Sequence, residues 1–438
     1  MKSEDPFYRL DNSAVFMAAI AGSSGPFVFR LSCTLKKTVR LDALQEALES
    51  LTTRFPFLFV SLQSGVFWYY LDPVDAIPRV ERETAYPAAA ILKGRSGSLL
   101  RVTAYGRRIA CDFHHAITDG TGAIAFIRAL LLEYFYRTEG GLDIDEKLLE
   151  GIPRAGEAVD PEEEEDAYAR VFRSQTRVPD AMPMAFLIPG SRLIKMYRDT
   201  VGILQLKQAL QVSKRHSVTL TEFLAAVHLA TLQDIYENLS PSRRRRSKKH
   251  VAVQIPINLR KLYPSRTLRN FFLFAAPYID LRLGHWDFEE ILRRVHHQLK
   301  LGIEEKELLR QVKRNVGGER NPFGRPILLP IKNMILRSIN AAIGVGAYSG
   351  SITNLGAIAL PEILASHIER FAILPSRARA TGANVGVLSW QDSLYITIGS
   401  LVRDSDFERL FFSRLVSLGL DVRVESSFSK KNIGGLSS

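Results

Sequence analysis

His114-His115-Ala116-Ile117-Thr118-Asp119-Gly120 is the stretch whose reading decides the fold. The residues before it, Arg108-Ile109-Ala110-Cys111-Asp112-Phe113, roughly alternate apolar and polar side chains, the period-two pattern of a half-buried strand. Ile109, Cys111, Phe113 and His115 then share one face, and His114 falls on the other with Asp112, so the two histidines do different jobs. Beyond them, Ala123, Ile124, Phe126, Ile127, Leu130, Leu131 and Tyr134 recur at helical spacing. Gly120 and Gly122 permit the sharp turn between strand and helix. Histidine accepts and returns a proton near neutrality, so a histidine at such a corner, followed by a carboxylate four positions on, points to an acyl-transfer enzyme. The plain alternative is a hydrogen-bonded core histidine beside a helix N-cap aspartate.

This motif resembles the HHxxxDG signature of the chloramphenicol acetyltransferase and condensation-domain superfamily, which includes alcohol acetyltransferases, wax ester synthases and polyketide-associated acyltransferases. The resemblance implies that His115 is the general base, that His114 supports it, and that Asp119 turns away to pair with an arginine and, with Gly120, keeps the corner rigid. Two further blocks are similar to the same superfamily. Pro256-Ile257-Asn258-Leu259-Arg260, followed by Arg269-Asn270-Phe271, implies Arg260 as the partner of Asp119. Thr353-Asn354-Leu355-Gly356 resembles a turn set opposite the histidine, with Thr353 the implied oxyanion donor and Ser351 its substitute on the same strand face. Ser351, Asn354 and Asn270 are the implied substrate-side residues, although Asn-x-Gly turn chemistry explains Asn354 and Gly356 equally well. The DFGWG block of plant acyltransferases is absent, which leaves alcohol acetyltransferases and polyketide-associated acyltransferases as nearer relatives.

The implied fold is α/β (α+β), with two chloramphenicol-acetyltransferase-like lobes, each a mixed, mostly antiparallel sheet flanked by helices, and a tunnel between them. The implied reaction is direct acyl transfer from acyl-CoA to the hydroxyl of a small molecule or lipid, without a covalent acyl-enzyme, metal or cofactor. Two alternatives stay open: a condensation-type enzyme that uses an acyl carrier protein or an amine acceptor, and a non-catalytic scaffold.

Other features exclude more than they assign. His296-His297 lacks the aspartate and reads as a solvated helix face. Cys111 lies four strand steps, about 13 Å, from His115, too far for a nucleophile pair. Its only fellow is Cys33, and with no metal-ligand spacing the two cysteines indicate a reducing, cytoplasmic setting. In 438 residues, 46% of them hydrophobic, there is room for two domains and a large core. The uncharged stretches Asn12 to Phe29 and Ser338 to Pro361 are broken by glycines and polar residues and do not read as membrane spans, and Glu4 and Asp5 are unlike a signal leader. The run Arg243-Arg244-Arg245-Arg246-Ser247-Lys248-Lys249 is placed in a loop, where its plain reading is solvated charge; with the net charge of +12, the functional reading is attraction of an anionic donor or, second, of the head groups of a membrane surface. Without interleaved aromatics, nucleic acid ranks last. A monomer is expected.

The expected organisation is an N-terminal lobe over 1–150, a crossover over 151–195 and a C-terminal lobe over 196–438. The first lobe reads as the strand Phe27 to Leu35, a helix from Leu41 to Thr53, and a meander of Val60 to Gln63, Val66 to Leu71 and Leu99 to Tyr105 turning at Ser64-Gly65. The acidic run Glu162 to Asp166 reads as solvated. In the second lobe, which opens with a strand near Met196, Thr219-Leu220-Thr221-Glu222 forms a capping box for a helix in which His228 packs. Ile327 to Ile331 and Phe271 to Phe274 read as core. A strand over Leu394 to Ile398 and a helix over Asp406 to Leu418 close the fold, with the final dozen residues frayed.

Overall fold

The computed structural model describes residues 7–20, 27–83, 97–140, 146–173, 176, 178, 182–191, 193, 197–320, 326–339, 346–377, 381–403 and 406–426. Met196 and the final dozen residues lie outside these. Among the described residues the strands form three sheets flanked by helices.

The motif strand Arg108–His114 lies in a five-stranded sheet ordered Ile368–Leu374, Val28–Leu35, Arg108–His114, Leu100–Tyr105, Glu81–Arg82, antiparallel but for the last pair. Ile109, Cys111 and Phe113 are buried in one core with residues of the helices Leu41–Ser50 and Gly120–Thr138. The opposite face is buried too. Arg30 Nε and Nη2 donate to the two Asp112 oxygens at 2.7 and 2.9 Å, and Arg101 Nη2 adds a third bond at 2.8 Å. Burial pushes the Asp112 carboxyl up, but the two guanidinium groups outweigh it and hold it below the ordinary carboxylate range. The alternation along this strand therefore separates an apolar interior from an ionic one, not core from solvent.

The larger sheet has eight strands, in the order Phe272–Ala275, His250–Asn258, Gly350–Ala357, Ala383–Trp390, Ser393–Ser400, Arg198–Gln205, Arg423–Ser426, with Tyr278–Asp280 paired to His250–Asn258. Gly350–Ala357 is parallel to both neighbours and the remaining pairs are antiparallel. The helix Leu220–Glu237 packs in its core, and the expected capping box is present, with Thr219 N donating to Glu222 at 2.7 Å.

Several expectations change. The hairpin Val60–Ser64 and Tyr69–Pro73, closed by Gly65 N donating to Trp68 O at 2.9 Å, forms its own sheet with Tyr8–Arg9, so the meander is split between two sheets. Ile368–Leu374, from within the 196–438 segment, completes the sheet of the motif strand, so that segment does not fold only upon itself. The acidic run is not merely solvated: Glu163 is buried, and Arg54 Nη1 and Nη2 donate to it at 2.6 and 3.0 Å. The basic run is largely exposed but begins as the short helix Pro241–Arg246, with proline in its first turn where no N–H is needed. His297 is solvated, whereas His296 Nδ1 lies 3.0 Å from Glu222. Thr353 to Gly356 belongs to the strand Gly350–Ala357, which bulges after Asn354 with Gly356 at φ 75°, not to a free turn. The last helix, Phe407–Ser417, is followed by a further strand, Arg423–Ser426. Phe271 to Leu273 are buried as expected, but Leu328 and Ile331 are exposed.

Candidate active site

His115 stands one residue past its strand. Its N–H donates to Phe27 O at 2.8 Å, and Phe27 has φ 52°, a left-handed conformation that is strained for a phenylalanine. The imidazole sits between the rings of Phe29 and Phe272, at centroid distances of 4.4 and 6.1 Å. By surface area the residue is only half-buried, yet burial of the ring body dominates its titration. It pushes the imidazole down to about 4, while the Asp119 charge, the Thr118 backbone and the Asn270 carboxamide pull weakly upward. At neutral pH the ring is uncharged and able to accept a proton. Its Nδ1 is sealed from solvent and makes no hydrogen bond.

His114 is buried and acts on the backbone. Its Nδ1 accepts the Ala116 N–H at 3.0 Å, which turns the chain out of the strand.

Asp119 is saturated. Its Oδ1 accepts the Thr121 and Gly122 N–H groups at 2.9 and 3.4 Å, capping the motif helix, and its Oδ2 accepts Arg260 Nη1 at 2.8 Å and Phe271 N at 3.0 Å. Arg260 is held in turn by donating through Nε to Thr267 O at 2.8 Å and through Nη2 to Arg269 O. A carboxylate with four donors has no lone pair to spare for a substrate proton. Its chemistry is to fix the corner.

Asn270 is fully buried. Its Nδ2 donates to His115 O at 2.7 Å and to Asp11 Oδ2 at 2.9 Å, which commits both of its N–H groups to the protein. Asp11, not singled out by the motifs, is the other end of this link. Burial raises its carboxyl to about 6, against the Arg269 charge, the Asn270 hydrogen bond and the Ala14 N–H, which lower it. The only sequence cue was an aspartate just ahead of the helix Asn12–Ile20.

On the strand Gly350–Ala357, Ser351, Thr353 and Leu355 alternate onto one face. That face meets the motif corner, because a Cβ added to Gly120 would lie 2.4 Å from Leu355 Cδ2. Ser351 and Thr353 are half-buried there. Asn354 turns to the other face, where Nδ2 donates to Thr221 Oγ1 at 3.0 Å and Oδ1 accepts Gly356 N at 2.9 Å. The structure thus brings His115, Asp119, Gly120, Arg260 and Asn270 into one constellation and sets Asn354 apart from it. A cleft of about 600 Å³, lined in part by Arg54, Lys147, Glu163 and Leu268, does not include His115, so the implied tunnel is not that cavity.

No family model matches this chain, and no curated protein matches it in sequence. Solved structures do match in shape. Polyketide synthase associated protein 5 from Mycobacterium tuberculosis is 16% identical, with a TM-score of 0.55 over 94% of this chain and 97% of that one. The trichothecene 15-O-acetyltransferase of Fusarium sporotrichioides is 11% identical, with a TM-score of 0.58 over 94% of each chain. The first condensation domain of the CDA synthetase is 11% identical, with a TM-score of 0.57, again over 94% of each. The chain shares the two-lobed, mixed α/β fold of these condensation-domain and acetyltransferase structures.

Proposed function

We propose that this protein is an acyltransferase that moves an acyl group from a thioester, acyl-CoA in the first instance, to an acceptor hydroxyl. The observation that carries the reading is the division of labour at the corner. Asp119 is fully engaged by four donors, while the His115 imidazole, pushed down to about 4 by burial, is uncharged at neutral pH and able to accept a proton. His115 removes the hydroxyl proton as the oxygen attacks the thioester carbonyl. The Thr353 hydroxyl, with Ser351 as its substitute, donates to the oxyanion. Collapse breaks the C–S bond, and the imidazolium returns its proton to the departing thiolate. No covalent acyl-enzyme is formed, and the step calls on no metal or cofactor.

A second reading keeps the same base but takes the donor from a carrier protein or the acceptor from an amine, since a synthetase condensation domain shares the fold. The test is mass spectrometry of products from a panel of alcohols and amines, with acyl-CoA and with acyl carrier protein as donors, beside His115→Ala. Ester formation from acyl-CoA, lowered at least about a hundredfold in the variant, supports the first reading. Turnover with the carrier donor alone supports the second, and unchanged turnover in the variant rejects both.

A further inference from the structure

The helix Leu329–Ile339 is amphipathic the wrong way round. Its inner face is partly polar: Lys332 Nζ donates to Phe67 O at 2.9 Å and Asn333 Nδ2 to the Tyr69 hydroxyl at 2.8 Å. Its outer face carries Ile331, Met334 and Ile335 at helical spacing, 45, 63 and 41% exposed, with Leu328 just before it. The tip of the hairpin Val60–Ser64 and Tyr69–Pro73 lies alongside. Leu329 N donates to Val66 O at 2.9 Å, and Val66 and Trp68 are 64 and 59% exposed. On another side Arg337 Nε donates to Ala19 O at 3.2 Å, where the helix Asn12–Ile20 presents Phe16. A contiguous set of large apolar side chains left in water marks a surface that something covers.

Charge indicates what covers it. The helix Asn12–Ile20, the hairpin tip 64–69 and residues 326–339, which build this face, contain no Asp or Glu, and the last carries Lys332 and Arg337. The whole chain is at +12, so a second copy brings like charge to the same place. Apolar side chains on segments without carboxylates, with Arg337 and an exposed tryptophan beside them, match the interface of an anionic bilayer, where the indole sits at head-group level and acidic lipids attract bases. We propose that Val66, Trp68, Leu328, Ile331, Met334 and Ile335 seat the protein peripherally on an anionic lipid bilayer. Among the described residues no helix is long and apolar enough to cross one.

The test is co-sedimentation of the full chain with vesicles of phosphatidylcholine alone and of phosphatidylcholine with 30% phosphatidylserine, with tryptophan emission recorded in parallel. The expected result is partition onto the serine-containing vesicles that weakens in 0.5 M salt, with a blue shift that Trp68→Phe removes. Met334→Glu/Ile335→Glu should lower that partition at least about tenfold with the melting temperature retained, since both side chains already face water. Absence of binding to the anionic vesicles, or equal binding by the double variant, overturns the proposal. So does a dimer in sedimentation velocity that the double variant dissociates, which would assign the face to a second copy.

Discussion

Arg260 and Asp119 are 141 residues apart in the chain, and their Nη1 and Oδ2 atoms are 2.8 Å apart in the fold. The pair ties the residue that caps the motif helix to the end of a strand in the other sheet, and both side chains are at most 10% exposed. Breaking a buried pair from one side leaves an uncompensated charge, at a cost of about 3–5 kcal/mol. Arg260→Ala should therefore lower unfolding free energy in urea by about that amount. Arg260→Lys should fall between the two, because an ammonium keeps the charge but not the planar set of bonds to Asp119, Thr267 and Arg269. A loss below 1 kcal/mol in Arg260→Ala would show that the corner holds without the pair.

The His115 imidazole, pushed down to about 4 by burial, predicts an unusual acid limb. A base must be unprotonated, so kcat/KM should stay level from pH 7 to about 5 and fall only as pH approaches 4. A limb near the ordinary histidine value of about 6.5 would mean that the ring is solvated in the working enzyme.

Asp11 acts through Asn270, which donates to it and to the His115 carbonyl. Asp11→Asn retains an oxygen able to accept that bond, whereas Asp11→Ala does not. Activity should fall about tenfold or more in Asp11→Ala with a smaller change in KM, and be largely kept in Asp11→Asn. Equal losses in the two variants would assign Asp11 to charge balance with Arg269 instead, which lies 3.8 Å away.

Gly120 and Gly122 resist a side chain for different reasons. At Gly120 a Cβ meets the flexible end of Leu355, but at Gly122 it meets the Leu268 carbonyl and Thr118 Oγ1, both at 2.2 Å. Gly120→Ala should be relieved by Leu355→Ala in a double variant. Gly122→Ala has no such remedy and should cost at least about 1–3 kcal/mol by thermal or urea unfolding.

His228 is fully buried against Phe407 and Phe411, with neither ring nitrogen hydrogen-bonded, and burial pushes it down to about 3. Its folded value lies below the unfolded one, so its contribution is intact above about 6.5 and is lost as pH falls toward 3, at up to about 1.4 kcal/mol per pH unit. His228→Leu should thus gain on the parent protein as pH drops from 7 to 5, read as a widening difference in melting temperature. A constant difference would mean that the ring finds a partner in solution.

The motif, its strand and helix and the Thr219–Glu222 capping box were legible in the chain, because each rests on residues within one or two turns whose periodicity and hydrogen-bonding groups leave a local pattern, whereas Arg260 was named only through the resemblance of its block. The reach of Ile368–Leu374 into the first sheet was not, since an apolar strand carries no mark of which edge it will join. Nor was the pairing of Glu163 with Arg54, 109 residues away, or of Asp112 with Arg30: a charged residue in sequence is indistinguishable from a solvated one until its partner is placed. Ile327 to Ile331 misled for the converse reason, because an apolar stripe specifies that a face avoids water but not what covers it. The sequence by itself determined which residues are able to do chemistry and how each short segment folds. Only the tertiary structure decided which of them meet, for proximity across hundreds of residues is set by the packing of whole sheets and not by any local preference.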